Sequence, residues 1–322
     1  MERFEGRIAV VTGGGTGMGR ELVRQLAAEG CHVATCDVSV DDMSETQRLA
    51  LDGAPSGTKV TTFEANVSDE SQVVAFSGAV ASEHATDHIN LLFNNAGIGG
   101  GGSVVTDNRA MWERTFGVDW GGVYNCTRAF LPMLMAADEG HLVNTSSING
   151  LWASLGPNTP HTAYSAAKFA VRGFSEALIT DFRINAPHLH VSVVMPGHIG
   201  TSIVINSGKA HGREPDSLDS EDLARVRRQL AARGLPADQV SDEDLRKGVR
   251  MMGEAFRDSA PTTAAQAATI ILEGVRQNRW RILVGDDAEQ LDGEVRADPE
   301  HAYDPEFWDA LRAKGIFGGL GS

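Results

Sequence analysis

The chain has 322 residues, with 28 Lys and Arg against 43 Asp and Glu, and a formal net charge of −15. Binding to nucleic acid or to an anionic membrane needs a basic face, so this charge argues against both as partners. Hydrophobic residues at 42% and charged residues at 22% are typical of a globular protein and exclude a disordered chain.

An apolar segment near the N-terminus and three cysteines bear on the compartment. Ile8–Val11 is too short for the core of a signal peptide, and no run of about 18 apolar residues would span a membrane. Cys31, Cys36 and Cys126 are odd in number and form no Cys-x-x-Cys pair, so neither a disulfide framework nor a metal site is indicated. We therefore expect reduced thiols in a cytoplasmic protein.

Short β-rich segments alternate with helical patterns through residue 200. This alternation predicts the α/β class: a doubly wound parallel sheet of the Rossmann type, with helices on both faces in three layers. The predicted strands are residues 7–12, 32–37, 59–63, 89–93, 141–145, 191–195 and 281–284, and the predicted helices include 17–30, 70–83, 108–135, 163–183 and 263–276.

The alternation stops between about residues 202 and 260, where the chain is strongly charged. One helix is predicted to open at Ser220 with acidic residues, and a second to follow the capping pattern Ser241–Asp244. Residues 286–322 add a short helical pattern. We expect a single domain over residues 1–322, with 202–260 as a helical lid and 286–322 as a C-terminal extension.

A glycine-rich loop, Thr12–Gly19, lies between the first predicted strand and the first predicted helix. Glycines allow a tight turn and let a pyrophosphate approach the backbone, and the helix N-terminus offers free N–H groups. The context predicts nucleotide binding by Gly13, Gly15, Thr16, Gly17, Met18 and Gly19.

The second predicted strand ends at Asp37, 18 residues after Gly19. An acidic residue there accepts hydrogen bonds from a ribose 2′-OH and repels a 2′-phosphate. This favours NAD over NADP as the cofactor, and the alternative is that Asp37 only caps a turn.

Tyr164 and Lys168 are spaced i, i+4 on a predicted helix, so both side chains lie on one face. A tyrosine hydroxyl has a reference pKa of about 10, and a nearby ammonium lowers that value. By itself this pattern occurs by chance in many helices.

Five motifs follow one another in order: the glycine loop, Asn94–Gly97, Ser146–Ser147, the Tyr164 and Lys168 pair, and Pro196–Gly197. Together they resemble the short-chain dehydrogenase/reductase family in its non-extended form, over roughly residues 5–202 and the elements near 263–285.

The resemblance implies an oxidoreductase that moves a hydride between NAD and a secondary alcohol or ketone. Tyr164 would be the general acid/base, Lys168 would lower its pKa and bind the nicotinamide ribose, and Ser147 would orient the substrate oxygen. The long helix that carries Trp112, Phe116 and Trp120 is the one family members use to pair subunits, so a homo-oligomer, tetramer or dimer, is expected. Cofactor contacts are also implied for Asn66, Val67, Asn95, Ala96, Gly97, Pro196, Gly197, Ile199 and Thr201.

Asp119 and the length of the loop after Ser147 depart from the family pattern. Asp119 stands where the family places an Asn that holds a water in a proton relay to the lysine. An ionised Asp119 would partly cancel the Lys168 charge that acts on Tyr164, or it would bind the same water. The gap from Ser147 to Tyr164 is 17 residues, about four longer than usual.

The substrate would be bordered by the loop after Ser147, the segment after Pro196 and the lid. Because the lid is apolar, the substrate is expected to be bulky and apolar. The alternative is that the apolar lid residues only pack the lid onto the core. Two other functions stay open: an NAD-binding regulator with little turnover, and a dehydrogenase that retains its NAD and uses an external electron acceptor. No metal site is indicated, and the expected substrate-binding residues are Ser147, Trp152, His161, His198 and Met252.

Overall fold

The computed structural model describes residues 1–157, 159–232 and 236–316. Its central feature is a parallel sheet of seven strands, which confirms the predicted doubly wound α/β fold. Together with a separate two-stranded pair, the strands of the described residues are β1 (Ile8–Thr12), β2 (His32–Asp37), β3 (Val60–Glu64), β4 (Leu91–Asn94), β5 (Gly140–Thr145), β6 (Leu189–Pro196), β7 (Ile199–Gly200), β8 (Thr262–Thr263) and β9 (Arg281–Val284). The sheet order is β3-β2-β1-β4-β5-β6-β9, and β7 pairs separately with β8.

Helices cover both faces of the sheet and continue into the lid and the tail. A π-helical turn, Gly117–Gly121, joins the helices Arg109–Phe116 and Gly122–Met135, so the predicted helix 108–135 is interrupted at its centre. The helices are α1 (Gly17–Ala28), α2 (Val40–Asp52), α3 (Glu70–Glu83), α4 (Arg109–Phe116), α5 (Gly122–Met135), α6 (Thr162–Asn185), α7 (Ile203–Ala210), α8 (Ser220–Ala232), α9 (Asp242–Asp258), α10 (Ala264–Arg276), α11 (Asp286–Ala297) and α12 (Pro305–Ala313).

The core forms two apolar layers because side chains alternate along each strand. On β1, Ala9 and Val11 pack with α1 and α10, whereas Ile8 and Val10 pack with α3 and α5. Burial on both faces explains why the strands read as near-continuous apolar runs.

The lid and the tail each have a small core of their own. Leu218, Leu223 and Leu245 pack between α8 and α9, while Leu291 and Leu311 of the tail pack against the segment that follows β5. Among the residues that the structure describes, no helix combines the length and hydropathy needed to cross a bilayer.

Candidate active site

The carboxyl ends of β1, β4, β5 and β6 meet at one edge of the sheet, where a cavity of about 480 Å³ opens. The sheet edge, the start of α6, α7 and α9 all contribute to its wall. This is the expected position for a ligand in an open α/β sheet, at the point where strand order reverses.

The glycine loop lies at one end of this edge in a conformation that needs glycine. Gly13 and Gly17 have φ of 68° and 55°, and a Cβ on Gly13 would lie 2.8 Å from the Ala96 Cα atom. Thr16 precedes α1 and its side chain makes no capping hydrogen bond, so the first-turn N–H groups of α1 are not capped by it. Met18 lines the cavity. The loop therefore fits the phosphates of a dinucleotide.

Asp37 lies beside this loop and serves two local roles. Its Oδ2 atom accepts a hydrogen bond from the Gly15 N–H at 2.9 Å, and its Oδ1 atom accepts one from the Ser39 N–H at 3.1 Å. The Ser39 bond is the turn contact that the sequence offered as an alternative, and the Gly15 bond holds the carboxylate beside the glycine loop.

One cation near the loop was missed by sequence reasoning. Arg20 of α1 donates from Nε to the Thr46 hydroxyl at 2.9 Å and from Nη2 to the Asp42 carbonyl at 3.2 Å. Arg20 directly follows Gly19 in the sequence, but its contacts with α2 arise only because α1 and α2 pack together on the sheet.

The segment after β4 is bonded to the end of β1. The Thr12 hydroxyl accepts hydrogen bonds from the N–H groups of Asn95 and Ala96, at 3.0 and 3.1 Å. Asn95 donates from Nδ2 to the Thr12 carbonyl, while its Oδ1 atom is buried with no hydrogen-bond partner in the described part of the chain. An unpaired buried acceptor beside the glycine loop fits a ligand that donates a hydrogen bond there.

The expected adenine-side pair is engaged in local structure. Asn66 accepts through Oδ1 from the N–H and hydroxyl of Ser68, at 3.1 and 2.8 Å. Val67 is buried against Gly122, and its carbonyl accepts from Asn125 Nδ2 at 3.1 Å.

Tyr164, Lys168 and Ser147 all line the cavity. Lys168 donates from Nζ to the Thr145 carbonyl at 3.1 Å and stands 5.3 Å from the centroid of the Tyr164 ring. The Ser146 hydroxyl is bonded to the Lys168 carbonyl at 2.8 Å, which leaves Ser147 as the serine beside Tyr164.

Burial raises the pKa of Tyr164, although the Lys168 charge and the hydrogen bond to Ser147 act in the lowering direction. Asp119 adds to the increase. Burial by itself would lower the pKa of Lys168, but Asp119 and Tyr164 outweigh it and the pKa is raised. Lys168 therefore keeps its charge and Tyr164 its proton at neutral pH.

Asp119 lies in the π-helical turn, fully buried, with Oδ1 3.5 Å from Lys168 Nζ. Oδ1 also accepts a hydrogen bond from the Ile98 N–H at 3.0 Å, while Oδ2 is buried with no hydrogen-bond partner within residues 1–157, 159–232 and 236–316. Burial raises the Asp119 pKa to about 6 against the opposing effect of Lys168.

The segment after β6 forms the opposite wall. Pro196, Gly197, Ile199 and Thr201 line the cavity. Thr201 lies under the glycine loop, where a Cβ on Gly17 would be 3.1 Å from its Cβ atom. The glycine loop and the β6 segment therefore approach each other across the cleft.

Two histidines line the cavity with different partners. The His161 ring lies 4.8 Å from the Tyr164 ring, and burial lowers the His161 pKa to about 4, so it is neutral above that pH. His198 donates from Nε2 to the Phe256 carbonyl at 2.7 Å, which ties the β6 segment to α9 of the lid. The Met252 and Phe256 side chains line the cavity beside it.

Trp152 does not lie where the sequence analysis expected it. It is buried in the apolar cluster of the tail, and its Nε1 atom donates to the Ala302 carbonyl at 2.6 Å. Its ring stacks on that of Trp308 at 5.9 Å. The expectation that Trp152 borders the substrate is therefore corrected: it anchors the tail against the loop that follows β5.

Sequence reasoning also missed the contribution of α7 to the site. Ser207 accepts a hydrogen bond from the Gly99 N–H at 2.7 Å, and His211 Nε2 bonds to the Gly99 carbonyl at 2.8 Å. Asn206 donates to the Thr16 hydroxyl at 3.1 Å. These contacts join segments more than 100 residues apart, and no local pattern announces them. Within the described residues, no group of three or more His, Cys, Asp or Glu is placed to hold a metal.

Comparisons with known proteins agree with this geometry. The family model for short chain dehydrogenases matches residues 7–212. The oxidoreductase SadH of Mycobacterium tuberculosis is 39% identical over 218 residues, covering 68% of this chain and 76% of SadH. Levodione reductase of Leifsonia aquatica is 30% identical over 225 residues, covering 70% of this chain and 81% of that enzyme.

A solved relative also resembles the whole fold. The crystal structure of a short-chain dehydrogenase/reductase from Burkholderia phymatum in complex with NAD has a TM-score of 0.74 at 28% identity. The match covers 95% of this chain and 98% of that one. The ordered motifs, the site they build and these comparisons show that the chain belongs to the short-chain dehydrogenase/reductase family.

Proposed function

We propose that this oxidoreductase interconverts a bulky, apolar secondary alcohol and the corresponding ketone with NAD as the cofactor. The observation that carries the proposal is the convergence of Ser147, Tyr164 and Lys168 on one cavity whose other end is the glycine loop. A general acid/base and an adjacent cation beside a dinucleotide cradle are what alcohol oxidation requires.

Each side chain has a defined task in this proposal. The Ser147 and Tyr164 hydroxyls hold the substrate oxygen, and Tyr164 exchanges the proton at that oxygen. Lys168 stabilises the phenolate through its charge and binds the nicotinamide ribose. NAD, when bound, would provide the hydride acceptor for oxidation and, as NADH, the hydride donor for reduction. Catalytic assistance from a positioned acid/base is typically worth about 10²–10⁴-fold in rate.

Asp119 affects the pKa values of Tyr164 and Lys168 without lining the cavity. It touches Lys168 rather than the cavity, so we assign it as a positioning residue in place of the usual Asn. Its unpaired Oδ2 atom can hold the relay water, which is the alternative role that the sequence left open.

Asp37 is the proposed selector for NAD. Its carboxylate is fixed beside the glycine loop and would repel a 2′-phosphate. Arg20 is the nearby cation that would favour NADP, but its guanidinium is bonded to Thr46 and Asp42.

The subunit arrangement and the compartment are also proposals. Tyr124, Met135 and Phe169 on α5 and α6 are exposed apolar side chains. They support a homo-oligomer, dimer or tetramer, paired through these helices. Three buried free cysteines, Cys31, Cys36 and Cys126, support the cytoplasm as the compartment.

The test is NAD reduction with a panel of secondary alcohols, for the wild type and Tyr164→Phe. We expect turnover by the wild type and a loss of at least about 10²-fold in kcat for the variant. Tyr303→Phe, which removes the same hydroxyl group from an exposed tyrosine outside the cavity, is the control and should retain activity. Equal rates for the wild type and Tyr164→Phe would contradict the assignment of the base.

The two alternative functions have their own signatures. A regulator would bind NAD without turning over any alcohol of the panel. A dehydrogenase that retains its cofactor would carry nicotinamide through purification and dialysis, and would need an added electron acceptor for turnover.

A further inference from the structure

A second cation lines the cavity besides Lys168. Arg213 follows α7 and reaches the wall with a side chain that is 20% exposed. The cavity wall is mainly apolar, and it includes Met111, Leu155, Ile203, Val204, Met252 and Phe256. A guanidinium in such surroundings is costly unless its N–H groups find acceptors.

The partners of Arg213 use only part of its hydrogen-bonding capacity. Its Nε atom lies 2.9 Å from Asp222 Oδ1, an oxygen that also lies 3.2 Å from Nη1 of Arg225. The Nε atom of Arg225 lies 3.9 Å from Oδ1 of Asp107. The two guanidinium groups thus share Asp222 and Asp107, and Glu221 Oε1 lies 4.0 Å from Nη2 of Arg225. Within the described residues no hydrogen bond reaches Nη1 or Nη2 of Arg213.

Burial also disfavours the charged form of Arg213. Burial and the like charge of Arg225 lower the Arg213 pKa, and the carboxylates of Asp222, Asp107 and Glu221 offset this only in part. An acceptor oxygen delivered from the cavity would accept from the Nη donors and replace hydration that burial removes from the guanidinium group.

We propose that Arg213 binds an acceptor oxygen, a carbonyl or a carboxylate, which the substrate carries at the end remote from its reacting carbon. The proposal rests on the proposed function and narrows it. The substrate would have the alcohol or ketone at Tyr164, an apolar body along Ile203 and Met252, and the acceptor at Arg213. Arg213 would then be a specificity-determining residue, with no part in proton transfer.

The experiment compares ketones of equal length with and without the remote acceptor. The oxo acids from 5-oxohexanoate to 9-oxodecanoate and their methyl esters are set against 2-alkanones of the same chain length, with NADH. At the matching length we expect kcat/KM to be about tenfold to a hundredfold higher for the acceptor compounds, the range for a hydrogen bond to a charged group. Arg213→Met should lose this preference through a higher KM for the acceptor compounds. An undiminished preference in Arg213→Met would overturn the proposal.

Two further variants control for charge and folding. Arg225→Met removes a charge from the same cluster outside the cavity wall, and should keep the preference. Arg213→Lys keeps the charge without the planar fork, and should show a reduced preference. If thermal unfolding shows that Arg213→Met is not folded, Arg213→Lys replaces it in the comparison.

A separate readout distinguishes this proposal from the proposed function. If the wild type reduces none of these ketones, the proposed function fails, and calorimetry with 9-oxodecanoate and the NAD-loaded protein then tests Arg213 alone. Weaker binding to Arg213→Met than to the wild type supports the acceptor site. Equal binding, or none to either protein, overturns it.

Discussion

The Oδ1 atom of Asp119 lies 3.5 Å from the Nζ atom of Lys168, and both side chains are buried. Lys168 lines the cavity and stands 5.3 Å from the Tyr164 ring centroid, while Asp119 lies behind it. The carboxylate and the phenol therefore compete for one cation, and the balance between them sets how readily Tyr164 loses its proton.

The first prediction concerns the pH–rate profile of Asp119→Asn. Asp119 is among the groups that raise the Tyr164 pKa, so removing its charge should lower that pKa. The rising limb of kcat/KM for alcohol oxidation should then move to lower pH in the variant. Steady-state rates across the pH range check this, and profiles that superimpose would show that the charge of Asp119 does not reach Tyr164.

The second prediction concerns stability and follows from the Asp119 pKa of about 6, raised from 3.8 by burial. Between these values the unfolded chain releases the proton while the folded protein keeps it. The free energy of unfolding should therefore fall as pH rises from about 4 to about 6, with no further contribution above that.

Asp119→Asn should lack this part of the decline. Urea unfolding of both proteins at intervals from pH 4 to pH 7 gives the difference directly. Parallel curves for the wild type and the variant would contradict the raised pKa.

The third prediction concerns the choice of cofactor. NAD should raise the Tm of the wild type more than NADP at equal concentration, because Asp37 repels a 2′-phosphate. Asp37→Ala should narrow the gap, and Asp41→Ala, an exposed acidic residue at the start of α2, should leave it unchanged. Equal stabilisation of the wild type by the two cofactors would show that the choice of NAD is wrong.

The fourth prediction concerns the tail. Leu311 of α12 is buried in the cluster that contains Trp152, so Leu311→Ala should lower the free energy of unfolding by about 2–5 kcal/mol. Leu51→Ala, at an exposed position of α2, should change it by about 0.5 kcal/mol or less. Denaturant titration measures both, and similar values for the two variants would mean that the tail does not fold with the core.

Local signals in the sequence were sufficient for most of the architecture. The apolar runs of β1, β2 and β5 mark buried parallel strands, and the capping pattern at Ser241 marks the start of α9 within one residue. The start of α2 carries a similar signal, Ser39 accepting from the Asp42 N–H, which was available and unused.

Motif order also placed the central site, because strand ends in a parallel sheet converge on one edge. Tyr164 and Lys168 share one face of α6, and Ser147 follows the carboxyl end of β5. The doubly wound topology therefore brings the three residues to the same edge of the sheet. The gap of 17 residues between Ser147 and Tyr164 can be counted in the sequence, but the contacts of the loop cannot be derived from that count.

The sequence by itself determined the sheet, the glycine cradle and the Ser147, Tyr164 and Lys168 positions, since each depends on short-range spacing. Only the tertiary structure decided which segments close the cavity. Trp152 packs against the tail because it contacts Ala302 and Trp308, about 150 residues away in the sequence. Arg213 reached the wall because α7 docks on Gly99. Contacts of this range depend on how finished elements pack, which no local spacing records.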